Sequence, residues 1–410
     1  MTTVVISPSN VVTFPEGGGH FWVYMQYIKG FQALGCEIYW LERFNPSGDK
    51  NRDKHALKTF YERVDQFGLA GKSILYSSER SAEDSSLTIT YIGDQLSRPE
   101  EIFGRADLLL NFYYAIPPEM LAHFKRTALV DIDPGLLQFW ISNEQIFVHP
   151  HDLYFTTGET VGTPNAKFPD CLLPWIRIRP PVSLELWPYA YDPESKFYTT
   201  VSSWWGGGGK GEFITDGKEL LFENNKRVTF LDYIELPKLT NQAIELALNL
   251  GEAQSEVEKA GEGTDQPANG VTDYISDEED RKTLERFGWN IKHAYDVAGN
   301  PETYQAYIQG SRGEFSCAKP SCMYFQNAWI SDRTLCYLAS GKPAIVQYTG
   351  PSAYLPSGEG LFRFSSIGEA VEAFAAVASN YQKHCIAARE IAEAHFDSKE
   401  IMASILNQLN

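Results

Sequence analysis

The chain opens on a β-branched and apolar run, Thr3 to Ser7, which breaks at Pro15-Glu16-Gly17-Gly18-Gly19-His20. Beyond the break, Phe21, Tyr24, Met25, Ile28, Phe31 and Leu34 recur at helical spacing; Gly35 ends the run, and Glu37 to Leu41 read as a second strand. Strand, glycine-rich break, helix, strand is one βαβ unit, which implies parallel strands and a right-handed crossover. Short, mostly apolar runs at Asp107 to Phe112, Thr127 to Ile132 and Leu153 to Thr156 read as further buried strands. The first half predicts an α/β layer structure.

From Trp175 to Pro188 the pattern fails: the tandem Pro180-Pro181 forbids helix and favours an extended connector, which puts a domain boundary near residue 190. The layering then restarts with a strand at Phe197 to Ser203, a second glycine-rich break at Gly206 to Gly209 followed by Lys210, and a strand at Arg227 to Leu231. Residues 251 to 280 are acidic, poor in apolar residues and punctuated by Gly and Pro, and read as an exposed loop. Helices follow at Pro301 to Gln309 and Ser331 to Ala339, then a strand at Ala344 to Gln347 and a helix at Gly368 to Asn380. The expected division is 1–190, 191–380, and C-terminal helices at 381–410 that return to the first domain.

Composition narrows the function. A chain of 410 residues exceeds one ordinary core, and its 43% hydrophobic content is globular. The formal net charge of -18 argues against nucleic acid or an anionic membrane as partner, since phosphate neutralisation needs clustered Lys and Arg. Six cysteines without paired spacing indicate neither a zinc site nor a disulfide framework. With no leader pattern and no long apolar run, the expectation is a cytoplasmic protein without a transmembrane segment, with a homodimer open.

A glycine-rich break before a helix lets backbone N–H groups approach an anion, although such breaks also serve as plain turns. Neither break is the spaced GxGxxG of nicotinamide and flavin binders. The segment GGGHFWVYMQYIKGFQALGCEIYWLE resembles the first βαβ of the double-Rossmann (GT-B) glycosyltransferases, and SDRTLCYLASGKPAIVQYTG resembles their donor-binding helix and the strand after it. GEGLFRFSSIGEAVEAFAAV and REIAEAHFD resemble the tail that follows. The resemblance implies two Rossmann-like domains with parallel sheets facing each other across a cleft, and a nucleotide-diphosphate sugar as co-substrate rather than a bound cofactor.

Aligned on Ala339, Ser340, Gly341 and Pro343, the chain carries Cys336 where the family has a ribose-binding glutamate, and Ala328 where its retaining members carry a second. Asp332, one turn earlier, takes over the ribose hydroxyls or caps the helix. Donor-binding candidates are Trp204, Lys210, Ser311, Arg312, Glu314, Asp332, Arg333, Thr349 and Gly350; Arg312, Lys210 and Lys319 suit a diphosphate. Gly17, Gly18, Gly19, Asp133 and Glu159 are candidates for the glycine loop and acceptor side. Asp131 and Asp133 superficially form the metal-binding DxD of another glycosyltransferase fold, but a chain with two α/β units is the wrong context, and no metal site is expected. His20, ending the first glycine run, is the candidate general base, supported by Asp131, or else a helix cap. The expected activity is sugar transfer from a nucleotide-diphosphate sugar to a hydroxyl with inversion. A nucleotide-sugar 2-epimerase and a non-catalytic sugar-nucleotide or glycan-binding protein are the alternatives.

Overall fold

A computed structural model describes residues 1–81, 86–93, 99–207, 211–249 and 277–409. Its first sheet is built from β1 (Thr3–Ser7), β2 (Glu37–Arg43), β3 (Ser73–Arg80), β4 (Leu87–Ile92), β5 (Leu108–Asn111), β6 (Thr127–Asp131), β7 (Leu153–Thr156) and β8 (Trp175–Arg177), in the order β4-β3-β2-β1-β5-β6-β7-β8. All neighbours are parallel except β3 and β4. All five residues of β1 are buried, as the apolar run demanded.

A small antiparallel hairpin, β10 (Phe213–Thr215) and β11 (Leu220–Glu223), stands apart from the second sheet. That sheet holds β9 (Phe197–Ser203), β12 (Ala243–Asn249), β13 (Asn290–His293), β14 (Gly313–Ser316), β15 (Ala344–Gln347) and β16 (Leu361–Phe364), ordered β13-β12-β9-β14-β15-β16 and wholly parallel. In each sheet the order reverses at the first strand, β1 or β9, and a crevice for ligand opens at the carboxyl end of such a switch point.

Two expectations need correction. Arg227 to Leu231 is not a strand but the middle of a helix, Lys226–Asp232, with Thr229 and Phe230 turned inward. The place beside β9 belongs to β12, paired with it from Ala243 to Asn249. The second correction concerns the acidic stretch: residues 277–280 open a helix, Asp277–Arg286, whose Asp280 binds Arg227 at 2.5 Å, while 251–276 lie outside the described residues.

The connector after β8 is pinned by the C-terminus. Val182 N–H donates to the Phe396 carbonyl at 2.7 Å and Ser398 N–H to the Val182 carbonyl at 3.0 Å. The last helix, Ser398–Leu406, lies against the first helix, Gly18–Ala33, so closely that a Cβ on Gly30 would come within 2.5 Å of the Ser398 carbonyl oxygen. The end of the chain therefore packs on the first sheet's layer.

Candidate functional site between the two sheets

The carboxyl ends of the two sheets face one another across a cavity of about 390 Å³. From the N-terminal half come the glycine run with His20, the β6 end with Ile132 and Asp133, and apolar side chains including Phe14, Val23 and Leu136. Opposite them lie the β9 end (Val201 to Ser203), Asn249 at the end of β12, Tyr295 after β13, and the first turn of the helix Asp332–Ala339.

His20 stands in the first turn of its helix, and its Nε2 donates to the Ser9 carbonyl at 2.7 Å. A carbonyl only accepts, so Nε2 carries the proton and Nδ1 is the basic nitrogen. Burial pushes the ring's pKa below the ordinary imidazole value; the Ser9 carbonyl and the nearby Asp332 carboxylate pull the other way without cancelling it. His20 is therefore neutral at pH 7, the form a proton acceptor needs.

Among the described residues, three cations line the opposite wall. Arg333 is fully engaged: Nε binds Glu314 at 2.8 Å, one terminal nitrogen the Val201 carbonyl at 2.8 Å, the other Ser316 Oγ at 2.5 Å. Lys319 pairs with Glu212 at 2.7 Å; burial opposes its charge, but Glu212 and Asp133 outweigh it and raise its pKa. Lys226 has no ion-pair or hydrogen-bond partner for Nζ among the described residues. Its pKa falls to about 7, first because it is desolvated and then because Arg333 and Lys319 repel its charge. An unpaired, half-buried lysine beside a second cation is a position where a bound anion would be stabilised and would in turn favour the charged form of the lysine.

Of the candidates, the cavity brings together Gly17, Gly18, Gly19, His20, Asp133, Asp332 and Arg333. Asp133 is enclosed by both halves yet open to solvent through the cleft; burial raises its pKa and Lys319 lowers it. Asp332 is also raised by burial, with Arg333 opposing. Asp131 lies behind the wall, fully buried, where Gln138 Nε2 (2.8 Å), Thr156 Oγ1 (2.7 Å) and Asp133 N–H (3.0 Å) bind its carboxylate. Desolvation takes its pKa to about 7, and it braces the Asp133 turn rather than reaching the ring of His20.

The remaining candidates sit elsewhere. Trp204 is a core residue whose indole N–H binds Asp280 at 2.8 Å, and Trp205 binds Asp277 at 2.6 Å. Ser311 and Arg312 precede β14 and therefore lie at the end of the sheet away from the cleft; Arg312 donates to the Ser195 carbonyl at 3.2 Å and stacks on Tyr381. Glu314 is spent on Arg333, and Thr349 binds the Trp329 carbonyl at 2.6 Å. Gly350 (φ 133°) abuts the Gln326 carbonyl. Glu159 ties the halves together through Ser352 Oγ and, at 2.6 Å, Ala353 N–H. Lys210 lies outside the described residues. Cys336, where a ribose-binding glutamate was sought, faces Gln26 of the first helix at 3.7 Å.

Sequence reasoning missed Lys226. The signal was present in Asn225-Lys226, a polar residue ahead of a short amphipathic turn, but it was masked by reading the β-branched and aromatic run after it as a strand.

No protein-family profile and no curated protein sequence matches the chain. Solved structures do. An alpha-glucosyltransferase in complex with UDP is 12% identical with a TM-score of 0.57, covering 100% of both chains. HepE of Anabaena in complex with UDP and glucose is 10% identical with a TM-score of 0.54 over 100% of this chain and 99% of that one. A sucrose-phosphate synthase from Thermosynechococcus elongatus gives 11%, 0.52, 100% and 98%. With two α/β sheets, one wholly parallel and the other parallel except at β3–β4, facing across one cleft over this whole length, the chain has the double-Rossmann, GT-B fold of the glycosyltransferases.

Proposed function

We propose that this protein is a glycosyltransferase that moves a sugar from a nucleotide-diphosphate sugar to an acceptor hydroxyl. The observation that carries the reading is the pairing, across one cavity, of an unpartnered Lys226 beside Lys319 on one wall with a neutral His20 on the other. The diphosphate is held by the two lysines, whose charge stabilises the leaving group as the glycosidic bond breaks. Asp332, at the start of its helix and between His20 and Arg333, takes sugar or ribose hydroxyls. No divalent metal or other cofactor enters the scheme, because the lysines supply the positive charge. The UDP bound by two of those structural neighbours makes uridine diphosphate sugars the first donors to assay.

The course proposed is inversion. His20 Nδ1 removes the hydroxyl proton as the acceptor oxygen attacks the anomeric carbon from the N-terminal side, while the diphosphate departs on the C-terminal side with the bonding pair. Ala328 and Cys336, standing where retaining members carry paired glutamates, support it. Incubation with labelled nucleotide sugars tests the proposal. Release of nucleoside diphosphate with slow hydrolysis or transfer, and a product of inverted anomeric configuration by NMR, is expected; an isomerised sugar nucleotide identifies an epimerase instead, and binding without turnover a binding protein.

A further inference from the structure

The two walls of the cavity are electrically unlike. Lys226, Lys319 and Arg333 all come from the C-terminal half. The N-terminal wall presents Phe14, Val23, Ile132, Pro134 and Leu136, and among the described residues its titratable groups are Glu16, His20 and Asp133, with no lysine or arginine. Arg63 approaches this wall from behind, but it donates to the Pro15 carbonyl at 2.5 Å and faces Glu16 and Glu302. Behind Asp133 stands Asp131, fully buried and bound by three neutral donors, so no cation shields the wall from that side.

A phosphate or carboxylate brought against this surface would meet Glu16 and Asp133 with no lysine or arginine of that wall to receive it, since Arg63 is held behind it by the Pro15 carbonyl and Lys319, the cation that faces Asp133, belongs to the opposite wall. The cations it could reach are the ones that hold the donor. Apolar matter is welcome there: Val23 and Ile132 are half-buried, with their remaining surface turned to the cavity.

We propose that the acceptor is a small molecule with an apolar body and a free hydroxyl, carrying no phosphate, sulfate or carboxylate. This rests on the glycosyltransferase reading and specifies its second substrate. The body lies against Phe14, Val23, Ile132 and Leu136, and the hydroxyl is directed to His20. In the reaction the acceptor oxygen bonds to the anomeric carbon, its proton passes to His20 Nδ1, and the bond to the diphosphate oxygen breaks with its electron pair leaving on that oxygen. The extended anionic acceptor class, nucleic acid above all, is excluded by the same wall and by the net charge of -18.

The test uses the whole chain and the nucleotide sugar whose hydrolysis it supports, with acceptors matched in shape: 4-hydroxybenzyl alcohol against 4-hydroxybenzoate, 2-naphthol against 2-naphthol bearing a sulfonate, and a hydroxymethylated oligonucleotide. Neutral members should be glycosylated at least about tenfold faster than their anionic partners. Glu16→Lys, an exposed change, should narrow that ratio several-fold. Preference for an anionic acceptor, or donor hydrolysis with transfer to no neutral acceptor, overturns the acceptor class and leaves the transferase reading standing. Failure to bind or hydrolyse any sugar nucleotide overturns that reading, and the acceptor proposal falls with it.

Discussion

Two helices aim their first turns into the same cavity, and they are built by different rules. The helix Gly18–Ala33 begins without a side-chain cap, and its glycines are fixed by contact with the other domain: a Cβ on Gly18 would lie 2.3 Å from the Asn300 carbonyl oxygen and one on Gly19 2.6 Å from the Tyr304 ring. Trp22, one turn on, donates its indole N–H to the Pro301 carbonyl at 2.9 Å. The helix Asp332–Ala339 begins with a Ser331 cap, an acidic first residue and an arginine tied to three acceptors. One helix start is shaped by fit and the other by charge. A glycine run that reads in sequence as a cradle for an anion is here also the spacing that lets two domains touch, and it leaves His20 as the chemical group on that side.

The largest effect that would sharpen this contrast is at His20. His20→Ala should lower transfer ~10² to 10⁴-fold with donor affinity unchanged. Because burial lowers the pKa of the ring, the acid limb of kcat/KM should fall below the ordinary imidazole range. Turnover like that of the parent chain would move the proton-accepting role to Asp133.

Next comes Lys226. Its replacement by Met should weaken nucleoside diphosphate binding by ~1 to 3 kcal/mol in calorimetry. The diphosphate selects the ammonium form, whose pKa in the free protein is about 7, so affinity should decline as pH rises through 7 and binding should take up a proton. In Lys226→Met both effects should vanish; an unchanged alkaline decline would assign it to another group.

The steric side of the comparison is broken by Gly18→Ala, which should cost ~1 to 3 kcal/mol of stability and lower Tm. Gly104→Ala, where an added Cβ meets nothing within 4 Å, should be neutral or gain up to about 1 kcal/mol. Equal behaviour of the two would mean that the domain contact does not constrain Gly18. The smallest effect is expected at Arg312: its Ala variant should keep its diphosphate affinity and lose only about 1 kcal/mol through the Tyr381 stack. Weakened donor binding would contradict its position at the far end of β14.

Much of the framework was legible in sequence because parallel strands are dense apolar runs. β1, β7, β9 and β15 match their expected limits. β12 escaped because Glu245 interrupts its apolar run; only the fold reveals that this carboxylate is buried and bonded to the Tyr307 hydroxyl at 2.9 Å. Arg312 looked like a phosphate ligand on charge alone. Its place is decided by strand polarity: a residue just before a parallel strand is carried to the amino end, opposite the ligand crevice. Arg333 was found for the right surface, yet its guanidinium is already committed to Glu314, and no local pattern announces a partner nineteen residues away in another element.

The pair Lys319–Glu212 has a further consequence. Before any ligand arrives, one of the cavity's lysines already has a resident anion, so the diphosphate of the proposed donor would exchange places with a carboxylate instead of discharging a bare cationic surface. Binding by exchange releases fewer bulk ions than binding to unneutralised charge, and affinity then varies shallowly with salt. The same exchange sets a threshold on what is admitted: a singly charged ligand gains little by displacing Glu212, whereas a diphosphate that also reaches Lys226 gains a second contact that the carboxylate cannot offer. On the proposed function, the cavity would rank anions by valence before it reads the sugar.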